Sequence, residues 1–235
     1  MSPFLGEFIG TMLLIIMGDG VVANVVLNKT KGNSSGWIVI TFGWAMAVFL
    51  GVYASNKLGG SGHLNPAVTI AMTAFNDFDV SLLPTYIAAQ FSGAIAGAIV
   101  VWLAYKQHFD ETPDGDAKLA VFCTGPAIRS IFHNLITEVI GTFILVFGAM
   151  AMSKPTSTLG TLDALPVGLL VLGIGLSLGG PTGYAINPAR DLGPRIAHFI
   201  LPIKNKRNSD WGYSWIPVIG PIIGGLLAVY LFNLI

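Results

Sequence analysis

Four stretches of this sequence carry no Asp, Glu, Lys or Arg: residues 32–56, 80–105, 164–189 and 211–235, each 25 or 26 residues long. A helix needs about 20 predominantly apolar residues to cross a hydrocarbon core about 30 Å thick. Two further apolar runs each carry an internal acid. Residues 3–27 hold Glu7, with Asp19 near the far end, and residues 131–151 hold Glu138. Six candidate spans follow: 3–27, 37–55, 82–105, 131–151, 165–178 and 214–234. Charged residues make up 10% of the chain, against about 25% in soluble domains, so a water-facing surface cannot be built at this size. The expectation is an all-α membrane protein forming one transmembrane domain over residues 1–235.

Two apolar stretches are too short to cross. One runs from Pro66 to about Phe75 and the other from Pro188 to about Ile200. Proline suits the first turn of a helix, where its missing N–H would have no partner anyway, so both read as half-length helices. An internal repeat surrounds them. Glu7-Phe8-Ile9-Gly10-Thr11 in the first span corresponds to Glu138-Val139-Ile140-Gly141-Thr142 in the fourth, and the half-helices open Asn65-Pro66-Ala67 and Asn187-Pro188-Ala189. The order acid-bearing span, span, Asn-Pro-Ala half-helix, span thus occurs twice, over about 1–110 and about 128–235. Three spans per half invert the second copy, and inverted repeats with paired short helices mark a transport path at their interface.

Irregular backbone survives at membrane depth only where it is buried in protein or lines a wet cavity. Two half-helices entering from opposite faces would meet N-terminus to N-terminus, each carrying roughly half a positive charge. That junction repels cations, hydronium included. Asn65 and Asn187 are placed to cap these helices through their side-chain oxygens while offering N–H donors to a passing solute. One Asn-Pro alone reads as a turn; two copies after a repeated acid-bearing span do not. Glu7 and Glu138 have two readings: holding the backbone of the loops before each half-helix, which is the expectation adopted, or contacting solute. Arg190, directly after the second Asn-Pro-Ala, is placed to donate hydrogen bonds to a solute and to repel cations. Asp191 sits four residues before Arg195, an ordinary helical pair.

These residues resemble the major intrinsic proteins, aquaporins and aquaglyceroporins, from Pro3 to the C-terminus. The signatures are His63-Leu64-Asn65-Pro66-Ala67-Val68-Thr69 and the run from Gly183 through Tyr184, Ala185, Ile186, Asn187, Pro188, Ala189, Arg190, Asp191, Leu192 and Gly193 to Pro194. The resemblance implies an aquaporin-like right-handed bundle of six transmembrane helices plus two half-helices, assembled as homotetramers with one pore per protomer. Asp191, Arg195 and Pro217-Val218 match the glycerol-facilitator branch. That branch has a filter of a Trp, a Gly, an aromatic residue and the Arg, which here implies Trp44, Gly175, Tyr184 and Arg190. Trp44 takes the first position only with one extra residue within 57–62; otherwise the position falls on Ala45, and Trp44 becomes an interfacial aromatic. Gly62, His63, Leu64, Gly183 and Ala185 are implied as pore lining. Gly175 would leave room for a three-carbon solute, Trp44 an apolar wall, and Arg190 donors.

The function expected is passive passage of glycerol, water and other small neutral solutes, without ions or protons. Protonated lactic acid, urea or mainly water stay open as alternatives, as does a proton-coupled transporter using Glu7 or Glu138. No nucleophile–base pair or metal cluster suggests an enzyme, and no cofactor is expected. His108, His133 and His198 lack metal-ligand spacing. Net charge is zero, which gives no reason to expect nucleic acid, and a lone Cys123 excludes an internal disulfide. The opening Met1-Ser-Pro-Phe has no basic stretch, so the first span is expected to stay as a helix. The positive-inside rule sets few charges, Lys57 and Lys154, against eight on the other side, including Lys29, Lys106, Lys118, Arg129 and Lys204. That bias puts the N-terminus outside; the family resemblance puts it in the cytoplasm of a multi-pass cell-membrane protein.

Overall fold

The computed structural model describes residues 1–75, 78–152, 158 and 160–235. Lys154, counted above with Lys57, lies outside the described residues. Regular structure among the described residues is entirely helical: α1 (Pro3–Val26), α2 (Trp37–Lys57), α3 (Pro66–Ala74), α4 (Leu83–Glu111), α5 (Gly115–Phe122), α6 (Ile131–Ala151), α7 (Leu165–Leu178), α8 (Pro188–Ile200) and α9 (Ile216–Phe232). Helices α3 and α8 are the half-length ones, each with proline in its first turn.

Two elements, α4 and α5, differ from the sequence expectation. Helix α4 continues past residue 105 to Glu111, where Lys106 and Asp110 pair one turn apart. Residues 106–111, polar except for the buried Phe109, extend it because an i,i+4 ion pair supports a helix that has left the apolar layer. Beyond it, Asp114 caps the unforeseen α5 by accepting from the Asp116 N–H at 2.8 Å. Helix α7 has only 14 residues, roughly 21 Å at 1.5 Å per residue. A 3-10 turn at Gly160–Ala164 precedes it and adds up to roughly 10 Å at about 2 Å per residue, enough together to match the hydrocarbon layer.

Each half is built on the same crossing. Helix α1 packs most extensively against α4, and α6 against α9. At the first crossing, a side chain on Gly93 would collide with the Phe8 carbonyl; at the second, one on Gly224 would collide with the Val139 carbonyl. Phe8 and Val139 each follow the repeated glutamate. Two backbones therefore meet at equivalent points, and only glycine permits that approach.

The burial pattern is that of a protein dissolved in lipid. Ile38, Leu103 and Ile131 are more than half exposed, whereas Glu7, Asp19, Gln90 and Arg195 are fully buried. Water would oppose this distribution; a bilayer favours it, because outward apolar side chains are solvated by lipid and polar groups must find partners inside.

Candidate functional site

The repeated acids hold the two loops that carry the half-helices. Glu7 Oε1 accepts from the His63 N–H at 3.1 Å and the Ser55 hydroxyl at 2.9 Å; its Oε2 accepts from the Leu64 N–H and the Gln90 amide, both at 2.8 Å. Glu138 repeats the scheme, accepting from the Ala185 N–H at 3.0 Å and the Ile186 N–H at 2.8 Å. In each half the carboxylate thus takes the two backbone donors just before the asparagine. No i→i+4 partner exists for those donors in an irregular loop, so an unmet pair there would cost several kcal/mol in lipid.

The asparagines then tie the halves together. Asn65 Oδ1 accepts from the Ala67 N–H at 2.9 Å, and Asn187 Oδ1 from the Ala189 and Arg190 N–H groups at 3.0 and 3.2 Å. Each amide also donates across the junction: Asn65 to the Ile186 carbonyl and Asn187 to the Leu64 carbonyl, both at 2.8 Å. Leu64 and Ile186 have φ of +51° and +45°. That left-handed conformation is costly for branched side chains and recurs at equivalent positions, which marks it as imposed by the reciprocal bonds. A carboxamide has two N–H donors. One is spent on the facing half, leaving one for the lumen.

A cavity of about 220 Å³ runs past this junction. Gly62, His63 and Leu64 line its first-half side; Tyr184, Ala185, Ile186 and Arg190 line the other. His63 is steadied by Thr69 at 3.2 Å and by the Phe78 and Tyr86 rings. Gly62 and Gly183 have φ of +69° and +81°, turning the loop so that the next residues can face the lumen.

Trp44, not Ala45, lines the cavity. Ala45 is fully buried, its carbonyl turned towards Gly168 of α7. One face of the Trp44 ring lies on α1 at Gly18, where an added side chain would strike the ring. The Arg190 guanidinium stacks on the ring, 3.9 Å from its centroid, a cation–π contact strengthened by burial. Gly175 is not among the cavity-lining residues. The Tyr184 ring packs against it: a Cβ on Gly175 would sit 2.9 Å from that ring and 3.0 Å from Thr41. The room left by this glycine therefore houses an aromatic ring, and the glycine shapes the filter by letting that ring withdraw. Trp37 fixes the slot, donating to the Gly175 carbonyl at 3.0 Å and meeting Tyr184 edge to face.

Asp191 and Arg195 lie outside the lumen. Asp191 accepts from the Thr124 N–H and hydroxyl, both at 2.7 Å, and from Arg195 Nε at 2.9 Å. Arg195 also donates to the Thr124 and Ser209 carbonyls. This buried pair staples two outer loops to α8. Pro217 sits in the first turn of α9. Cys123, beside the staple, is buried, and burial pushes its thiol well above the ordinary range. Sequence reasoning missed one neighbour of the filter: Asp19 of α1 lies 3.8 Å from Arg190 Nη1.

The family model for the major intrinsic proteins matches residues 1–232. The chain belongs to the major intrinsic protein family. A Thermotoga maritima relative named a probable glycerol uptake facilitator is 60% identical over 233 residues, covering 99% of both chains. A Streptococcus pneumoniae glycerol uptake facilitator is 53% identical over 234 residues, 100% of this chain and 99% of that one. Among solved structures, the aquaglyceroporin from Plasmodium falciparum superposes with a TM-score of 0.85 at 32% identity, covering 98% of this chain and 94% of that one. The major intrinsic protein fold thus accounts for the whole chain, as a multi-pass membrane protein with an aquaporin-like bundle.

Proposed function

We propose that the protein is a passive channel for glycerol, water and other small neutral solutes, excluding ions and protons. The observation that carries this is the reciprocal asparagine junction. Two half-helix N-termini converge on the cavity with their free amide N–H groups, and the two repeated acids, Glu7 and Glu138, are bound by backbone donors. A hydroxyl or water oxygen accepts from both asparagines, which orients it and interrupts a proton-conducting chain; the converging positive helix ends oppose cations. Arg190 adds donors above this point, and the Trp44 and Tyr184 rings give the solute's carbon backbone an apolar wall. The glycerol facilitators among the relatives support glycerol as the solute.

The molecule acts as a single channel domain in this proposal, with the repeats joined around α5, and does no chemistry on its solute. Homotetramers in the cell membrane, with the N-terminus cytoplasmic, are supported by family membership. Purified protein in liposomes provides the test. Isotonic glycerol should swell them well above protein-free controls, and charged solutes of similar size should not. Equal swelling rates with and without protein would contradict the proposal, and faster entry of urea or lactic acid than of glycerol would replace the solute.

A further inference from the structure

The filter built so far is made of positive parts. Two helix N-termini converge on the lumen and Arg190 stands beside them. Such a set repels cations but would hold a small anion, since helix N-termini and a guanidinium together are an ordinary anion-binding arrangement. Rejecting both signs requires a compensating negative charge close to Arg190 and away from the lumen.

Asp19 meets that requirement. It is fully buried, and neither carboxylate oxygen has a hydrogen-bond partner among the described residues. Arg190 Nη1 likewise has none, and the two groups face one another at 3.8 Å. The other buried acids are committed elsewhere: Glu7 and Glu138 to backbone N–H groups, Asp191 to Arg195 and Thr124. Asp19 follows Gly18, the residue on which the Trp44 ring rests. One turn of α1 therefore supports both the ring beneath the guanidinium and the charge beside it. A buried acid in a spanning helix is costly and is retained where it has work to do.

We infer that Asp19 is the counter-charge of the filter arginine: it holds the guanidinium flat on Trp44 and keeps the pore from admitting anions. Asp19 is a positioning residue, acting through Arg190, and its role rests on Arg190 being the filter residue. In planar bilayers holding the purified full-length protein, Asp19→Asn should carry nitrate and chloride current at least about tenfold above wild type, a small change in barrier. Sodium and potassium should stay excluded. Adding Arg190→Val to Asp19→Asn should abolish the anion current, because the unpaired positive charge is gone. Three results would overturn the inference: no anion current in Asp19→Asn, current of both signs as expected of a packing defect, or an anion current that survives Arg190→Val. If the asparagine variant does not accumulate as folded protein, Asp19→Ser removes the same charge in a smaller volume and is read the same way. Ionic current in the wild type would instead count against the neutral-solute channel itself, which separates the two failures.

Discussion

Asn187 has more to satisfy than Asn65, although the motifs read alike. Its oxygen accepts two backbone N–H groups and that of Asn65 only one. Losing a helix cap costs about 0.5–2 kcal/mol, so Asn187→Ala should lower the melting temperature in detergent more than Asn65→Ala, with solute flux falling in both. Equal melting of the two variants would show that the extra bond carries no weight. Gly175 supports a second substitution. A His there must displace the Tyr184 ring, which lines the cavity. Gly175→His should therefore suppress glycerol flux far more than water flux in stopped-flow swelling, at matched protein levels; parallel loss of both would place the constriction elsewhere. The motifs and their acids were legible in the sequence because each is a short local pattern occurring twice. Both Gly175 and Tyr184 were expected in the filter, but the packing of the Tyr184 ring onto Gly175 was not legible, since side-chain direction on an irregular loop has no period to read. Asp19 escaped for a related reason: one acid in an apolar helix has no repeat partner, and its target lies on a half-helix far along the chain.

The helices show the same division between what repeats and what does not. Spans α1, α2 and α6 followed from apolar length, and the half-helices from their prolines. The extension of α4 and the existence of α5 depended on particular polar pairings that hydropathy does not register. The partners at the glycine crossings could not be read from the sequence, because they are backbone carbonyls of other helices. A side chain on Gly224 would collide with the Val139 carbonyl, which has no rotamer with which to yield. Overpacking of this kind costs about 1–3 kcal/mol, occasionally more, so Gly224→Val should reduce folded protein recovered from membranes, and Gly93→Val should do the same at the equivalent crossing. The Asp191–Arg195 staple permits a sharper comparison. Asp191→Asn strands a buried guanidinium, a loss of about 3–5 kcal/mol when one partner of such a pair is removed. Its melting temperature in detergent should fall by more than that of Asn187→Ala, and a drop no larger would mean that the surrounding carbonyls alone satisfy Arg195.

Across the whole molecule, the two halves pack through α2 on α7, α4 on α8 and α3 on α9, and two reciprocal hydrogen bonds tie them at the centre, Asn65 to the Ile186 carbonyl and Asn187 to the Leu64 carbonyl. The junction is positively polarised, and the two repeated acids beside it, Glu7 and Glu138, accept hydrogen bonds from backbone donors. In the proposed function, neutral solutes pass this junction down their own gradient and protons do not. Passive conduction therefore differs from coupled transport in one measurable respect. Glycerol influx into liposomes containing the purified protein should be the same with and without an imposed proton gradient, and should follow the glycerol gradient alone. An influx that rises or falls with the proton gradient would contradict a passive pore and return Glu7 and Glu138 to the role of proton carriers.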